Sequence, residues 1–313
     1  MTPWKILITD GLDAKGKAVL SEVGEVIDRN GITAEELLKE IGEYDALIVR
    51  SRTKVTPAVF EAGVKLKVVG RAGIGVDNID LNAAKAHGVR VVNSPLATTI
   101  TVAELTLGLM LALVREIPRA DSAMKAGKWL KKELEGAELY GKTLGIVGFG
   151  RIGSAVADRA RAFGMRIIAY DRLKAAEAIT QRGGEPVSWE QLLELSDVIT
   201  LHLPLTNETK NMLDANAFAR MKDGVYLVDA ARGGIVDEDA LLAALESGKV
   251  AGAALDVFTT EPPGVTALVS HPRVICTPHI GAQTQEAQAR AGYDIATEII
   301  AALKGEPLRW RVI

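Results

Sequence analysis

The 313-residue chain carries 37 Lys and Arg against 40 Asp and Glu. The resulting net charge of −3 excludes the basic footprint of a nucleic-acid binder or of a protein held on anionic lipid. With 48% apolar and 25% charged residues it reads as a globular protein of about two domains, and its single cysteine, Cys276, excludes an intrachain disulfide and points to a reducing, cytoplasmic setting.

The N-terminus enters a strand directly, without the charged and apolar regions of a signal peptide. The longest apolar stretch, residues 105–114, is too short to span a bilayer, so no membrane partner is expected. Short apolar runs at 6–8, 46–49, 68–69 and 89–92 read as buried strands. Helices between them carry end signals. Thr56 is placed as an N-cap before Pro57, and Asp80 can cap a helix that runs through His87 and stops at Gly88. Alternating strands and helices predict a parallel sheet covered on both faces. Residues 94–100 read as a crossing into a second domain. Residues 101–115 then form a helix that is apolar nearly all round, so it must be buried in its own domain or against a second subunit.

A second series follows, with strands expected at 144–147, 167–170, 198–201, 225–228, 252–255 and 274–277. Six strands with helices between them match a full doubly wound sheet. The last helix, about 283–303, is amphipathic and is expected to return to the first domain. Cys276 lies in an apolar run and reads as a strand residue, not a nucleophile.

The second series opens on Gly148-Phe149-Gly150-Arg151-Ile152-Gly153, between the strand 143–147 and a helix closed by Gly164. In a dinucleotide site the first glycine of G-x-G-x-x-G makes the tight turn. The second lets backbone approach the pyrophosphate, and the third packs helix on strand. The free N–H groups of the helix N-terminus then face the phosphates. Asp171 ends the next strand, eighteen residues past Gly153. Its carboxylate suits the adenosine ribose hydroxyls and opposes a 2′-phosphate, so NAD is favoured. Arg172 beside it softens that preference.

Hydride transfer from a carbinol carbon also needs a base near neutral pH. Of four histidines, His87 is explained by a helix C-terminus and His271 by a polar turn. His202 and His279 both follow strand ends, and spacing alone does not rank them. Two further segments sit just past strands. Arg232 lies beside Gly233 and Gly234, a loop that suits a guanidinium clamp on a carboxylate. Asp256 and Glu261 follow the fifth strand, where an acid near a histidine would fix its tautomer.

Arg232 in A-R-G-G, Glu261 in E-P-P and His279 in P-H-I-G-A stand in the order of the D-2-hydroxyacid dehydrogenase signatures. The chain resembles that family over nearly its whole length, including R-A-G-I-G-V-D-N at 71–78 and V-A-E at 102–104. The resemblance implies His279 as acid/base, Glu261 paired with it, and Arg232 on the substrate carboxylate and carbonyl. It places Asp256 on the nicotinamide amide and lines the cofactor with Ile74, Arg151, Ile152, His202, Leu203, Pro204, Ala230, Ala231, Arg232, His279, Gly281 and Ala282. No metal is implied. Within the family the likeness is closest to the branch acting on 3-phosphoglycerate, through the stretches 47–56, 121–129 and 253–258. Arg50, Ser51 and Arg52 then suit the phosphate, and Gly73, Ile74 and Thr98 complete the substrate residues.

Three departures bear on which acid is bound. Thr98 and Asp229 stand where asparagine is usual, and Gln283 where serine is usual. The regulatory domain of longer relatives is not expected. The fold expected is α/β with two doubly wound parallel sheets. A Rossmann NAD-binding domain, 96–285, is inserted into a flavodoxin-like substrate domain, 1–95 and 286–313. The helix 101–115 is expected to build a homodimer. Rival readings are a glyoxylate or hydroxypyruvate reductase with the same machinery, and a non-catalytic NAD-sensing protein similar to the C-terminal-binding-protein co-repressors.

Overall fold

The computed structural model describes residues 3–313. The chain divides into two units: the residues up to Thr98 together with Ala282–Ile313, and Thr99–Gly281.

The first unit is built on β1 (Trp4–Ile8), β2 (Gly24–Asp28), β3 (Ala46–Val49), β4 (Val68–Arg71) and β5 (Arg90–Asn93), in the order β2-β1-β3-β4-β5. All four pairings are parallel. This is the flavodoxin-like arrangement, whose switch point lies between β1 and β3. Ile6–Ile8 and all of β3 are fully buried, as strands covered on both faces must be. Strand β2 was not expected. It is a half-exposed edge strand whose glycine and acids break up the apolar signal.

The helices of this unit begin with α1 (Ala14–Ser21) and α2 (Ala34–Glu40), followed by α3 (Pro57–Ala62) and α4 (Leu81–Ala86). Asp80 caps α4 by accepting from Ala83 N–H at 2.8 Å. Thr56 holds the N-cap position of α3, but its hydroxyl caps no N–H, and Pro57 at the first helical position leaves one donor fewer to satisfy.

The second unit opens with α5 (Thr99–Val114) and α6 (Ile117–Lys125). Its sheet begins with β6 (Thr143–Val147), α7 (Arg151–Ala162) and β7 (Arg166–Tyr170). It continues through α8 (Ala176–Thr180), β8 (Glu185–Pro186), α9 (Trp189–Leu195) and β9 (Val198–Leu201). Then come α10 (Ala215–Arg220), β10 (Val225–Asp229), α11 (Glu238–Glu246), β11 (Val250–Leu255) and β12 (Val274–Cys276). The order β12-β11-β10-β9-β6-β7-β8 is the Rossmann sheet with one strand added at an edge, and every pairing is parallel. The added strand is β12, whereas the strand not foreseen among the six expected is β8, whose two residues, one a proline, leave no readable signal. The apolar helix α5 is buried within this unit along Ala103, Leu107, Met110 and Leu113, in one cluster with Val156 and Ala160 of α7.

The chain then returns to the first unit as α12 (Gln285–Lys304), capped by Thr284 and closed by Gly305 in the left-handed region. Its Ile295, Ala296 and Ile299 complete the apolar layer over Ile6, Ile48 and Val68. Helices α12 and α1 touch backbone to backbone. A Cβ at Gly16 would lie 2.5 Å from the Gly292 carbonyl oxygen. Among the described residues, no helix is long and apolar enough to cross a membrane.

Candidate active site

The glycine loop sits at the C-terminal end of β6, beside the switch point between β6 and β9. Each glycine is required for a different reason. Gly148 has φ +90, and a Cβ there would lie 2.5 Å from the His202 carbonyl oxygen. A Cβ on Gly153 would lie 2.2 Å from the Gly148 oxygen, so this position sets how closely α7 rests on the turn. Around Gly150, the N-cap of α7, a Cβ would meet nothing within 4 Å, and no side chain caps the helix. That open backbone, with its free N–H groups, is where a diphosphate can approach.

Asp171 ends β7 beside this loop. One oxygen accepts from Phe149 N–H at 2.8 Å, and the other from Leu173 N–H at 2.9 Å and Lys174 N–H at 3.1 Å. Gly148, Gly150, Asp171, Arg172, His202, Leu203, Pro204 and Glu208 all line one cavity of about 380 Å³. Arg172 leans toward Glu208 at 3.9 Å, and the Thr206 hydroxyl donates to that glutamate at 2.8 Å. The two acids make this end of the cavity hostile to an extra phosphate. Glu208 gave no signal in the sequence, because its place here depends on the loop after β9.

The histidines separate clearly. His202 is half-buried in the wall of that cavity, with Nε2 3.0 Å from the Thr200 hydroxyl and Nδ1 buried without a partner. Burial pushes its pKa down to about 3, so it stays neutral and is no proton carrier at neutral pH. His87 closes α4 with its ring near Phe60, and His271 accepts from Arg273 N–H at 3.2 Å. His279 stands on the loop after β12, its side chain 40% exposed, with Nδ1 2.8 Å from Glu261 Oε2.

Glu261 is itself held, since its other oxygen accepts from Phe258 N–H at 3.1 Å. Burial opposes its ionisation. The hydrogen bond and charge of His279, the Phe258 N–H and the charge of Arg232 outweigh that and hold it below the usual carboxylate range. An anionic Glu261 fixes the proton of His279 on Nδ1 and leaves Nε2 as the basic nitrogen.

The loop bearing His279 is anchored by Asp256, which is buried at the end of β11. One oxygen accepts from the Thr277 hydroxyl at 2.6 Å and Ile280 N–H at 2.8 Å, the other from Gly281 N–H at 2.8 Å. Three of about four lone-pair sites are thereby filled, which leaves one for a ligand donor. His279 takes φ +52, a left-handed conformation uncommon outside glycine, at the point where this anchored loop turns. Arg232 follows β10 on Ala230 and Ala231, and its guanidinium donates to the Ala231 carbonyl at 2.7 Å. Next to it, a Cβ on Gly233 would lie 1.8 Å from the Phe258 carbonyl oxygen, so the Arg232 loop and the Glu261 loop touch through backbone. Asp229, beneath the Arg232 loop, accepts from Ala231 N–H at 2.9 Å. Burial drives its pKa up to about 7. Asparagine, usual here, would supply the same acceptor without the charge.

The second unit therefore brings Gly148, Gly150, Arg151, Ile152, Gly153, Asp171, His202, Leu203, Pro204, Ala230, Ala231, Arg232, Asp256, Glu261, His279 and Gly281 to the C-terminal ends of one sheet. Arg50, Ser51, Arg52, Gly73, Ile74, Thr98 and Ala282 belong to the first unit. There, Arg50–Arg52 follow β3. The Arg52 guanidinium is spent on its own unit, donating to the Thr9 carbonyl and, at 3.0 Å, to the Ile32 carbonyl, and forming an ion pair with Asp10 at 3.0 Å. The Arg50 guanidinium makes no hydrogen bond or ion pair among the described residues. Burial pushes its pKa down, and Asp10 opposes that only in part. Gly73 has the Arg71 guanidinium lying over it, the Ile74 carbonyl accepts from Asn93 Nδ2 at 2.6 Å, and Thr98 is buried.

Residues 107–281 match the family model of the D-isomer specific 2-hydroxyacid dehydrogenase NAD-binding domain. The chain is 49% identical over 305 residues to the D-3-phosphoglycerate dehydrogenase of Homo sapiens, covering 97% of this chain and 57% of that protein. It is 51% identical over 303 residues to the enzyme of the same name from Methanocaldococcus jannaschii, covering 96% and 58%. The chain thus spans a little over half the length of these curated relatives. Among solved structures, a glyoxylate reductase from Paecilomyes thermophila superposes with a TM-score of 0.91 at 34% identity, covering 100% of this chain and 99% of that one. A D-lactate dehydrogenase from Aquifex aeolicus, complexed with NAD and lactic acid, gives 0.84 at 31% identity, covering 96% of each.

Proposed function

Because the chain belongs to the D-isomer specific 2-hydroxyacid dehydrogenases, we propose that it oxidises 3-phospho-D-glycerate to 3-phosphooxypyruvate with NAD, the reaction that opens L-serine biosynthesis. The observation that carries the chemistry is the 2.8 Å contact from His279 Nδ1 to Glu261. It orients one imidazole with its other nitrogen available as a base. The glycine loop and Asp171 would hold NAD, which when bound would accept the hydride. His279 Nε2 takes the hydroxyl proton as the C2–H bond breaks with its electron pair. Glu261 stabilises the imidazolium that forms, and Arg232 holds the carboxylate and the carbonyl oxygen as it develops.

For the phosphate, the half-buried and unpaired Arg50 is the better candidate of the two arginines, with the Ser51 N–H and hydroxyl beside it. The test is kcat/KM for 3-phosphoglycerate and its keto product against hydroxypyruvate and glyoxylate, in the wild type and in Arg50→Ala. A preference for the phosphorylated acid that Arg50→Ala abolishes is expected. Preference for glyoxylate would make the enzyme a reductase like its structural neighbour from Paecilomyes. Tight NAD binding with no oxidation of any 2-hydroxy acid would support a sensing role instead.

A homodimer in the cytoplasm completes the reading. Ile100, Ile117, Met124 and Trp129, at or beyond the ends of α5 and along α6, are each about half exposed or more, an apolar surface that a second copy would cover. Light scattering that gives a monomer would overturn this part.

A further inference from the structure

The loop that carries Arg50 is pinned from below by a residue outside every motif. Asp10 lies just past β1, beside the end of β3, with its side chain only 4% exposed. Its carboxylate accepts from Arg50 N–H at 2.7 Å, from Thr53 N–H at 3.1 Å and from the Thr53 hydroxyl, and pairs with Arg52 at 3.0 Å. Asn78 grips the same loop from its carbonyl side, donating to Arg50 O at 2.9 Å and Thr53 O at 2.7 Å. Both ends of the four-residue loop are therefore fixed. The Ser51 N–H and hydroxyl make no hydrogen bond among the described residues.

We infer that Asp10 is a positioning residue for this loop, and that Arg52 is its strut and not a phosphate ligand. The inference rests on the reading of Arg50 as the phosphate ligand. Two arginines two residues apart would ordinarily share an anion. Here the buried carboxylate neutralises one and clamps the backbone, so that Arg50 and Ser51 meet the phosphate already ordered. Losing the clamp therefore costs binding of the phosphorylated acid specifically.

The experiment compares KM for 3-phosphooxypyruvate and for hydroxypyruvate, which differ only by the phosphate, in the wild type, Asp10→Asn and Arg52→Met. Thermal unfolding is followed in parallel. Asp10→Asn should raise KM for the phosphorylated acid about tenfold more than for hydroxypyruvate, and Arg52→Met should do so several-fold. If Arg52 were itself a phosphate ligand, Asp10→Asn would release it and KM for the phosphorylated acid would fall, which overturns the inference. Equal rises for both acids would mark a merely structural role and also overturn it. Arg52→Met keeps every backbone contact of Asp10, so if Asp10→Asn folds poorly, a loss of phosphate preference in Arg52→Met as complete as in Arg50→Ala would mark Arg52 as a ligand and overturn the inference. A wild type with no preference for the phosphorylated acid would instead sink the substrate assignment. Preference lost in Arg50→Ala but kept in both other variants would sink only the role given to Asp10.

Discussion

Replacing Glu261 by Gln removes a charge from the acid/base pair while keeping an oxygen where His279 Nδ1 needs one. The contact is 2.8 Å long, and the two side chains are 40% and 37% exposed. Two unit charges at about 4 Å attract by about 1 kcal/mol in water and about 4 kcal/mol at an effective dielectric near 20. Exposure of more than a third places this pair toward the screened end, at about 2 kcal/mol. That stabilisation is felt only as His279 becomes an imidazolium, so it appears in turnover. At 1.36 kcal/mol per decade, Glu261→Gln should slow kcat about 30-fold. NADH affinity, read by fluorescence titration, should change less than about twofold. The control is His279→Ala, which should keep cofactor affinity and lose about 10²- to 10⁴-fold in turnover. On that background Glu261→Gln should cost almost nothing further, since no imidazolium remains to stabilise. A full 30-fold loss in the absence of the histidine would refute the reasoning, and so would near-normal turnover of His279→Ala.

Asp229 titrates near pH 7 in the fold but near 3.8 when unfolded. Between those values the native state binds the extra proton, so stability falls as pH rises, by about 4 kcal/mol in all. Asp229→Asn should therefore match the wild type below about pH 4 and gain about 10 °C in Tm above pH 7; a gain independent of pH would refute this. Gly16→Ala sets about 1 kcal/mol of helix propensity against a Cβ 2.5 Å from the Gly292 oxygen. Backbone cannot yield cheaply, so a net loss of about 2 kcal/mol is expected in chemical denaturation, and a stabilised variant would show the contact to be loose. Asp171→Ala should weaken NADH binding about tenfold and narrow the gap between NADH and NADPH in competition titrations. An unchanged ratio would remove Asp171 from cofactor selection.

Where signals were local, the fold was legible. The strands at 6–8 and 46–49 are buried on both faces, so burial wrote itself into unbroken apolar runs. Strands β2 and β8 lie at sheet edges, one interrupted by acids and the other two residues long, so nothing in their composition marked them. The glycine loop was readable because its three glycines fall within six residues, between a strand and a helix. The choice between His202 and His279 was not, because it depends on enclosure, which spacing does not encode. Nor were the anchoring roles of Asp10, forty residues from the backbone it holds, and of Asp256, whose partners lie some twenty to twenty-five residues ahead. Such contacts exist only once neighbouring strands have been laid side by side.

The return of α12 also sets an order of assembly. Residues 99–281 form one uninterrupted stretch with a complete sheet, whereas the first unit lacks one wall of its core until Ile295, Ala296 and Ile299 have been made. During synthesis from the N-terminus, the strands β1 to β5 are therefore finished long before the apolar surface over Ile6, Ile48 and Val68 can be covered. The inserted unit can close on itself while its host still waits. A chain released at residue 281 would carry one complete lobe and one with exposed apolar surface, the species on which a chaperone would act.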